Sequence, residues 1–563
     1  MTIVSRTLAA FIVLGGTSLS ISTASGQDAE ARARAFVARH EKEVKPLEIT
    51  SALAWWVANT TGKDADFAAK EEAQNKLDAA LTDAAKFAEL KALREAKIAD
   101  KVLAREVELL YLMYQEKQVD PALLKAITAK ANAIEKAFNV FRARVGDQEL
   151  ADGEVRKRLK ASRDSNELKG VWEASKKVGV AVEADLKELV KLRNQAAQAL
   201  GFRDFHHQQL ALNEQDQNQV VALFDDLDKL TRGPFLAAKA EIDGRIANNL
   251  GLGVADLRPW HYQDPFFQES PAVFEADLDA VYSGVDILKL CRDFYQGIGL
   301  PIHDVIAKSD LYEKPGKSPH AFCTDIDREG DVRVLANIVP TEYWMGTMLH
   351  ELGHSVYSSK NIPATLPYIL RGEAHILTTE GIAMMFEKFS KDADWLTAMG
   401  VAVPNPKAFD EVGAKLHRNK LLIFSRWCQV MLRFEKSMYA NPDQDLNKLW
   451  WDLVEQYQGL KRPEGRNAPD FAAKVHIVSA PAYYHNYMMG ELFAAQVHHA
   501  ICREALGGIE PGKATYVGQP AVGRFLKEKV FGPGRMLRWD DLTRFATGAE
   551  LNPRAFASDF GGR

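Results

Sequence analysis

Residues 350–357 read His-Glu-Leu-Gly-His-Ser-Val-Tyr, and this run constrains the fold more tightly than any other stretch of the chain. It has chemical meaning only on a helix. Four residues rise about 6 Å, slightly more than one α-helical turn, so His350 and His354 leave the same face and can hold one divalent metal ion. Glu351 then lies beside the pair, where it can take a proton from a metal-activated water. The flank agrees: Glu342-Tyr-Trp-Met-Gly-Thr-Met-Leu-His350 carries apolar residues at helical spacing and no proline.

A catalytic zinc site takes a third protein ligand and keeps one position open. No further histidine follows closely. Two carboxylates are candidates: Glu373, in Arg371-Gly-Glu-Ala374, and Glu380, in Thr378-Thr-Glu-Gly-Ile-Ala-Met-Met-Phe-Glu387. The second stretch reads as a helix with threonine at its start. A helix is the more rigid mount, which favours Glu380.

The remainder predicts helices nearly throughout. Residues 31–60 carry apolar side chains at three- and four-residue spacing, with Pro46 expected to break or start a helix. Stretches 67–101, 122–145, 180–200 and 218–232 lack glycine and proline and predict long helices. One segment departs from this pattern. Residues 319–325 and 331–339 read as short strands around Asp327-Arg-Glu-Gly330, a β element along which an extended peptide can bind.

Bulk properties exclude some partners. With 71 Lys and Arg against 76 Asp and Glu, no basic face for nucleic acid is indicated. The 47% apolar content suffices for a large core without disulfides, and the four cysteines are not spaced as a metal site. Arg6, an apolar stretch over 8–14 and small residues over 22–26 predict a signal peptide, cleaved after Ala24 or Gly26. The mature protein is then expected in the periplasm or the medium, with no membrane anchor, because no later stretch is long and apolar enough.

Several motifs together resemble the angiotensin-converting-enzyme-like peptidyl-dipeptidases, peptidase family M2, in a bacterial-type secreted form. They are His350-Glu-Leu-Gly-His354 with Glu380, His320-Ala321, Tyr457-Gln-Gly459, Lys474-Val-His476-Ile477, Tyr484-His-Asn-Tyr487 and Arg258-Pro-Trp260-His-Tyr-Gln263. The resemblance runs from about residue 35 to about residue 560. It implies an all-α, two-lobed helical zincin with a deep central cleft, forming a single domain over 27–563 and partly lidded by its N-terminal helices.

The same resemblance implies the roles. His350, His354 and Glu380 hold Zn²⁺, and Glu351 is the general base. Tyr487 and His476 serve the reacting carbonyl. Lys474, Tyr484 and Gln263 bind the substrate's terminal carboxylate, and His320 and Ala321 align its backbone. Dipeptides are then released from short peptides with a free C-terminus. Alternatives are a thimet-like oligoendopeptidase cutting internal bonds and, from another class, a non-catalytic peptide-binding protein.

Three departures stand out. Val454 and Asn486 occupy the positions where the animal enzymes hold activating chloride with arginine, which leaves chloride dependence open. Met384 replaces an aspartate that supports the zinc site, so another group must orient a ligating histidine. The cysteines that pair in the animal enzymes are largely absent. Oligomeric state is not legible in the sequence.

Overall fold

The computed structural model of the protein describes residues 26–274 and 277–561. Residues 1–25 of the segment read as a signal peptide therefore lie outside the described residues. The chain is helical, with two small antiparallel two-stranded sheets among the described residues. None of the described helices is long and apolar enough to cross a membrane.

Local differences from the sequence reading have physical causes. Pro46 lies inside one continuous helix, Gly26–Thr61. Packing of Phe36 and Val44 on one side of the proline and Trp56 on the other outweighs its local cost of about 3 kcal/mol. The stretch 67–101 divides into Asp64–Leu81 and Ala84–Glu95, because the Asp83 side chain accepts from the amides of Ala85 and Lys86 and starts a new helix. The helix expected over 122–145 ends at Val140, and Ala143–Val145 instead pairs with Gln148–Leu150.

The strands near the zinc motif form as expected. Phe322–Asp325 pairs antiparallel with Val332–Leu335, with Phe322 opposite Leu335 and Asp325 opposite Val332.

One contiguous core runs from Ile134 to Phe560. The helices between residues 26 and 116 have a separate core, which includes Phe36, Leu90 and Tyr114 and reaches the rest of the chain through Ile369 and Leu370. A third cluster, Trp56, Ile326 and Leu335, ties the first helix to the hairpin. The N-terminal helices thus ride on the hairpin and on the segment leading to Glu380.

Three helices build the floor of the site: Glu342–Val356, Ile376–Glu387 and His485–Glu504. Glycines let them approach closely. A Cβ on Gly353 would lie 2.7 Å from the Ala383 Cα, and one on Gly381 would lie 2.7 Å from the Gly490 carbonyl oxygen. Without side chains there, the two metal-bearing helices meet backbone to backbone, which fixes Glu380 against the histidines. All four cysteines are free.

Candidate active site

His350 and His354 project from the Glu342–Val356 helix with their Nε2 atoms 3.2 Å apart. Glu380, in the first turns of its own helix, places Oε2 3.6 Å from His350 Nε2 and 3.9 Å from His354 Nε2. Tetrahedral zinc with bonds of about 2.0–2.1 Å needs donor separations of about 3.3 Å, so the three groups fit the ion. They form the one His/Cys/Asp/Glu triplet of this kind among the described residues. Glu373 is not in it and lies toward Arg535.

The outer nitrogens of both imidazoles are engaged. His354 Nδ1 lies 2.7 Å from the Thr379 hydroxyl, and His350 Nδ1 lies 3.2 Å from Glu387 Oε2. Lys420 Nζ donates to Glu387 Oε1 at 2.8 Å. Glu387 therefore supplies the orienting carboxylate that Met384 cannot. Burial disfavours the His350 cation, but Glu387, Glu351 and Glu380 outweigh it and hold its pKa at about 9. This field attracts a cation to the ring.

Glu351 is 8% exposed, and burial pushes its carboxyl up to about 7. The charge on His350 and a hydrogen bond from the Cys323 amide oppose that rise, so the strand touches the general-base candidate directly. A cavity of about 360 Å³ opens onto His350 and Glu351, and His320, Ala321, Thr347 and Lys420 help to wall it.

The predicted carboxylate anchor is partly corrected. Lys474 is buried, and its ammonium donates to Gln268 Oε1 at 2.6 Å, toward which the Tyr484 hydroxyl also points at 3.5 Å. Gln263 is elsewhere. Its backbone is left-handed (φ 63°), and its side chain accepts from the Ala272 amide at 2.7 Å. It lines a separate small cavity with Leu159 and Ser162. Gln268, five residues on, takes the place expected for Gln263. Burial lowers the Lys474 pKa to about 8. The rings of Phe266, Trp427 and Tyr484 surround the ammonium at 5.2–5.5 Å.

The aromatic cluster links this anchor to the metal ligands. Tyr484 packs on His476 and Tyr487, with ring centroids 5.3 and 5.5 Å apart. Burial and the nearby Glu380 raise the Tyr487 pKa, while hydrogen bonding with Tyr483 lowers it. Burial keeps His476 neutral, down to about 4, and its Nδ1 has no hydrogen-bond partner.

At the two positions compared with chloride-holding arginines, Val454 is buried, and Asn486 is buried and accepts from Gln215 Nε2 at 2.7 Å. His485 Nε2 lies 2.8 Å from the same glutamine's Oε1.

Sequence reasoning missed Glu387, Thr379, Tyr483 and Gln268. Glu387 carried a usable signal, because it stands seven residues after Glu380 and thus on the same helix face. Thr379 adjoins a ligand. Nothing in the linear sequence favoured Gln268 over Gln263.

A helical scaffold that converges two histidines and a glutamate on one point, with a buried glutamate beside them, belongs to the zinc metallopeptidase class. The sequence model of the angiotensin-converting enzyme family matches residues 27–231 and 263–558. The chain therefore belongs to that family, peptidase family M2. It is similar to angiotensin-converting enzyme-related protein of Drosophila melanogaster, 23% identical over 448 residues, which cover 72% of this chain and 69% of that one. It is likewise similar to angiotensin-converting enzyme of Haematobia irritans exigua, 23% identical over 468 residues, covering 73% and 72% of the two chains.

Proposed function

We propose that this metallopeptidase is a peptidyl-dipeptidase, releasing C-terminal dipeptides from short peptides. The observation that carries the reading is the Lys474 cluster: a buried ammonium whose hydrogen-bond partner is the neutral Gln268 rather than a carboxylate. Asp264 and Glu269 act on it only through space; a buried cation with no carboxylate in direct contact is costly, and a substrate's terminal carboxylate supplies that contact. Tyr484, at that anchor, packs directly on Tyr487. The contiguity supports a short reach from anchor to reaction centre, of the order of the roughly 7 Å that an extended dipeptide spans.

In this reading, Lys474, Gln268 and Tyr484 hold the terminal carboxylate, and the strand at His320 and Ala321 aligns the peptide backbone. His350, His354 and Glu380 would hold zinc, which would supply a Lewis acid and activate water at neutral pH. Glu351 accepts the proton of the attacking water and passes it to the leaving amine. Tyr487, with neutral His476 nearby, donates to the developing oxyanion, a contribution typically worth about 2.7–4 kcal/mol of barrier.

The test is mass spectrometry of the products from one short peptide, offered as free acid and as C-terminal amide, with and without chelator. Dipeptide release from the acid alone, lost with chelator and restored by zinc, supports the proposal. Internal cleavage of both forms points instead to an oligoendopeptidase. Export is part of the same proposal, and N-terminal sequencing of the protein recovered from cell fractions checks it. Retention of residues 1–26 on the recovered protein counts against it.

A further inference from the structure

Tyr483 stands next to Tyr484 and four residues before Tyr487, yet the reaction described above gives it no part. The turn that leads to it is pinned by buried groups from two other helices. Arg193, in Ser165–Ala199, donates to the Val478 carbonyl at 2.8 Å and to the Tyr439 hydroxyl at 3.1 Å. Glu435, 1% exposed in Pro406–Ala440, accepts from the Ala482 amide at 2.9 Å. Ala482 itself is left-handed, φ 56°, a conformation uncommon without glycine, and the bond to Glu435 holds it there. The Tyr483 carbonyl then accepts from the Asn486 amide at 3.0 Å. The chain therefore enters the His485–Glu504 helix already turning, with Tyr483 and Tyr487 on one face.

That placement brings the two phenols together. Their rings meet edge to face, with centroids 5.2 Å apart and planes at 84°, and the Tyr483 hydroxyl donates to the Tyr487 hydroxyl. Both side chains are partly exposed and both feel Glu380. Tyr484 differs: it is buried, and its hydroxyl points to Gln268 at 3.5 Å. A phenol carries one proton and two lone pairs. When Tyr487 accepts from Tyr483, its own proton is left for another acceptor. The bond it receives also polarises the O–H that remains, as in any chain of hydroxyls.

We infer that Tyr483 is a positioning residue for the reaction: its hydroxyl donates to that of Tyr487 and so aims the Tyr487 proton at the oxyanion that develops on the scissile carbonyl. The inference rests on the reading of Tyr487 as the oxyanion donor. Tyr483 touches no reacting atom and acts through Tyr487 alone.

The experiment compares the zinc-loaded full chain with Tyr483→Phe, Tyr487→Phe and the double variant on one short free-acid peptide. Phenylalanine keeps the ring contact and removes only the hydroxyl. Tyr487→Phe should lower kcat by about 10²–10³-fold, the usual loss for one oxyanion donor. Tyr483→Phe leaves that donor present but free to turn elsewhere, and should lower kcat about tenfold, a part of the same loss. KM should not change, because the oxyanion is absent from the bound ground state. In the Tyr487→Phe background, removing the Tyr483 hydroxyl should cost nothing more, as expected when one group acts through another. A phosphinic peptide, whose tetrahedral anion copies the oxyanion, should bind Tyr483→Phe about tenfold more weakly than the wild type by calorimetry, while the free dipeptide binds both equally. Unchanged kcat in Tyr483→Phe, equal losses in the two backgrounds, or equal weakening of phosphinate and dipeptide overturns the inference and leaves Tyr487 in its role. Unchanged kcat in Tyr487→Phe removes Tyr487 as the donor and the inference with it. If the wild type does not cleave the peptide, the phosphinate comparison decides by the same criterion, and a wild type that binds no phosphinate ends both readings.

Discussion

Glu387 Oε2 lies 3.2 Å from His350 Nδ1, while its other oxygen accepts from Lys420 at 2.8 Å. The carboxylate is thus fixed at both ends, and it fixes the ring of a metal ligand in turn. It stands two helical turns beyond Glu380, so one helix contributes a ligand and the orienting group for another.

Removing that group should weaken the metal site. Glu387→Ala should lower zinc affinity by about 10–100-fold, the usual cost of losing such a partner. Glu387→Gln, which keeps an acceptor for the ring N–H, should lose less. Competition with a chromophoric chelator measures both, and unchanged affinity in the alanine variant would rule out the orienting role.

Glu351→Gln should separate metal binding from turnover. Zinc content by elemental analysis should match the wild type, while kcat falls by about 10²–10⁴-fold, the range for losing a general acid–base group. Retained activity would remove Glu351 from the mechanism.

Lys474 makes the affinity for free-acid peptides depend on pH. Burial lowers its pKa to about 8, so the free enzyme carries the ammonium below that pH and loses it above. KM for free-acid peptides should therefore rise as pH passes through about 8. With substrate bound, the carboxylate holds the proton on, so kcat should not follow. Lys474→Met should give a high KM without this step. A wild-type KM that stays flat across this range would argue against Lys474 as the anchor.

Next to Tyr487, the neutral Asn486 is satisfied by Gln215, and no arginine stands at that position to hold chloride. Rates in chloride and in acetate at equal ionic strength should agree. A clear activation by chloride would show that another cation takes over that role.

Gly353→Ala probes the helix contact beneath the metal. The added methyl meets the Ala383 backbone at 2.7 Å, and overpacking of this kind costs about 1–3 kcal/mol. The variant should melt at a lower temperature and bind zinc less tightly, because Ala383 is three residues from Glu380. An unchanged Tm would mean that the helices can move apart freely.

What the sequence by itself determined about this protein is what helical and strand periodicity can carry. The i, i+4 histidines, the glutamate between them, the helix bearing Glu380 and the hairpin before them are short-range patterns, and the backbone realises each one locally. Lys474, His476, Tyr484 and Tyr487 were legible as a spaced motif. Tertiary structure decided the rest, because those choices depend on residues far apart in the chain. Gln268 rather than Gln263 meets Lys474 because a left-handed turn at Gln263 sends its side chain to Ala272, and the Gln268–Lys474 contact spans 206 residues. Pro46 stays within its helix because packing on both sides outweighs a local preference. That Arg535 Nε is buried without a hydrogen-bond partner has no sequence signature at all. Whether a buried charge finds a partner depends on which segments the fold brings within about 4 Å, and no local pattern encodes that distance.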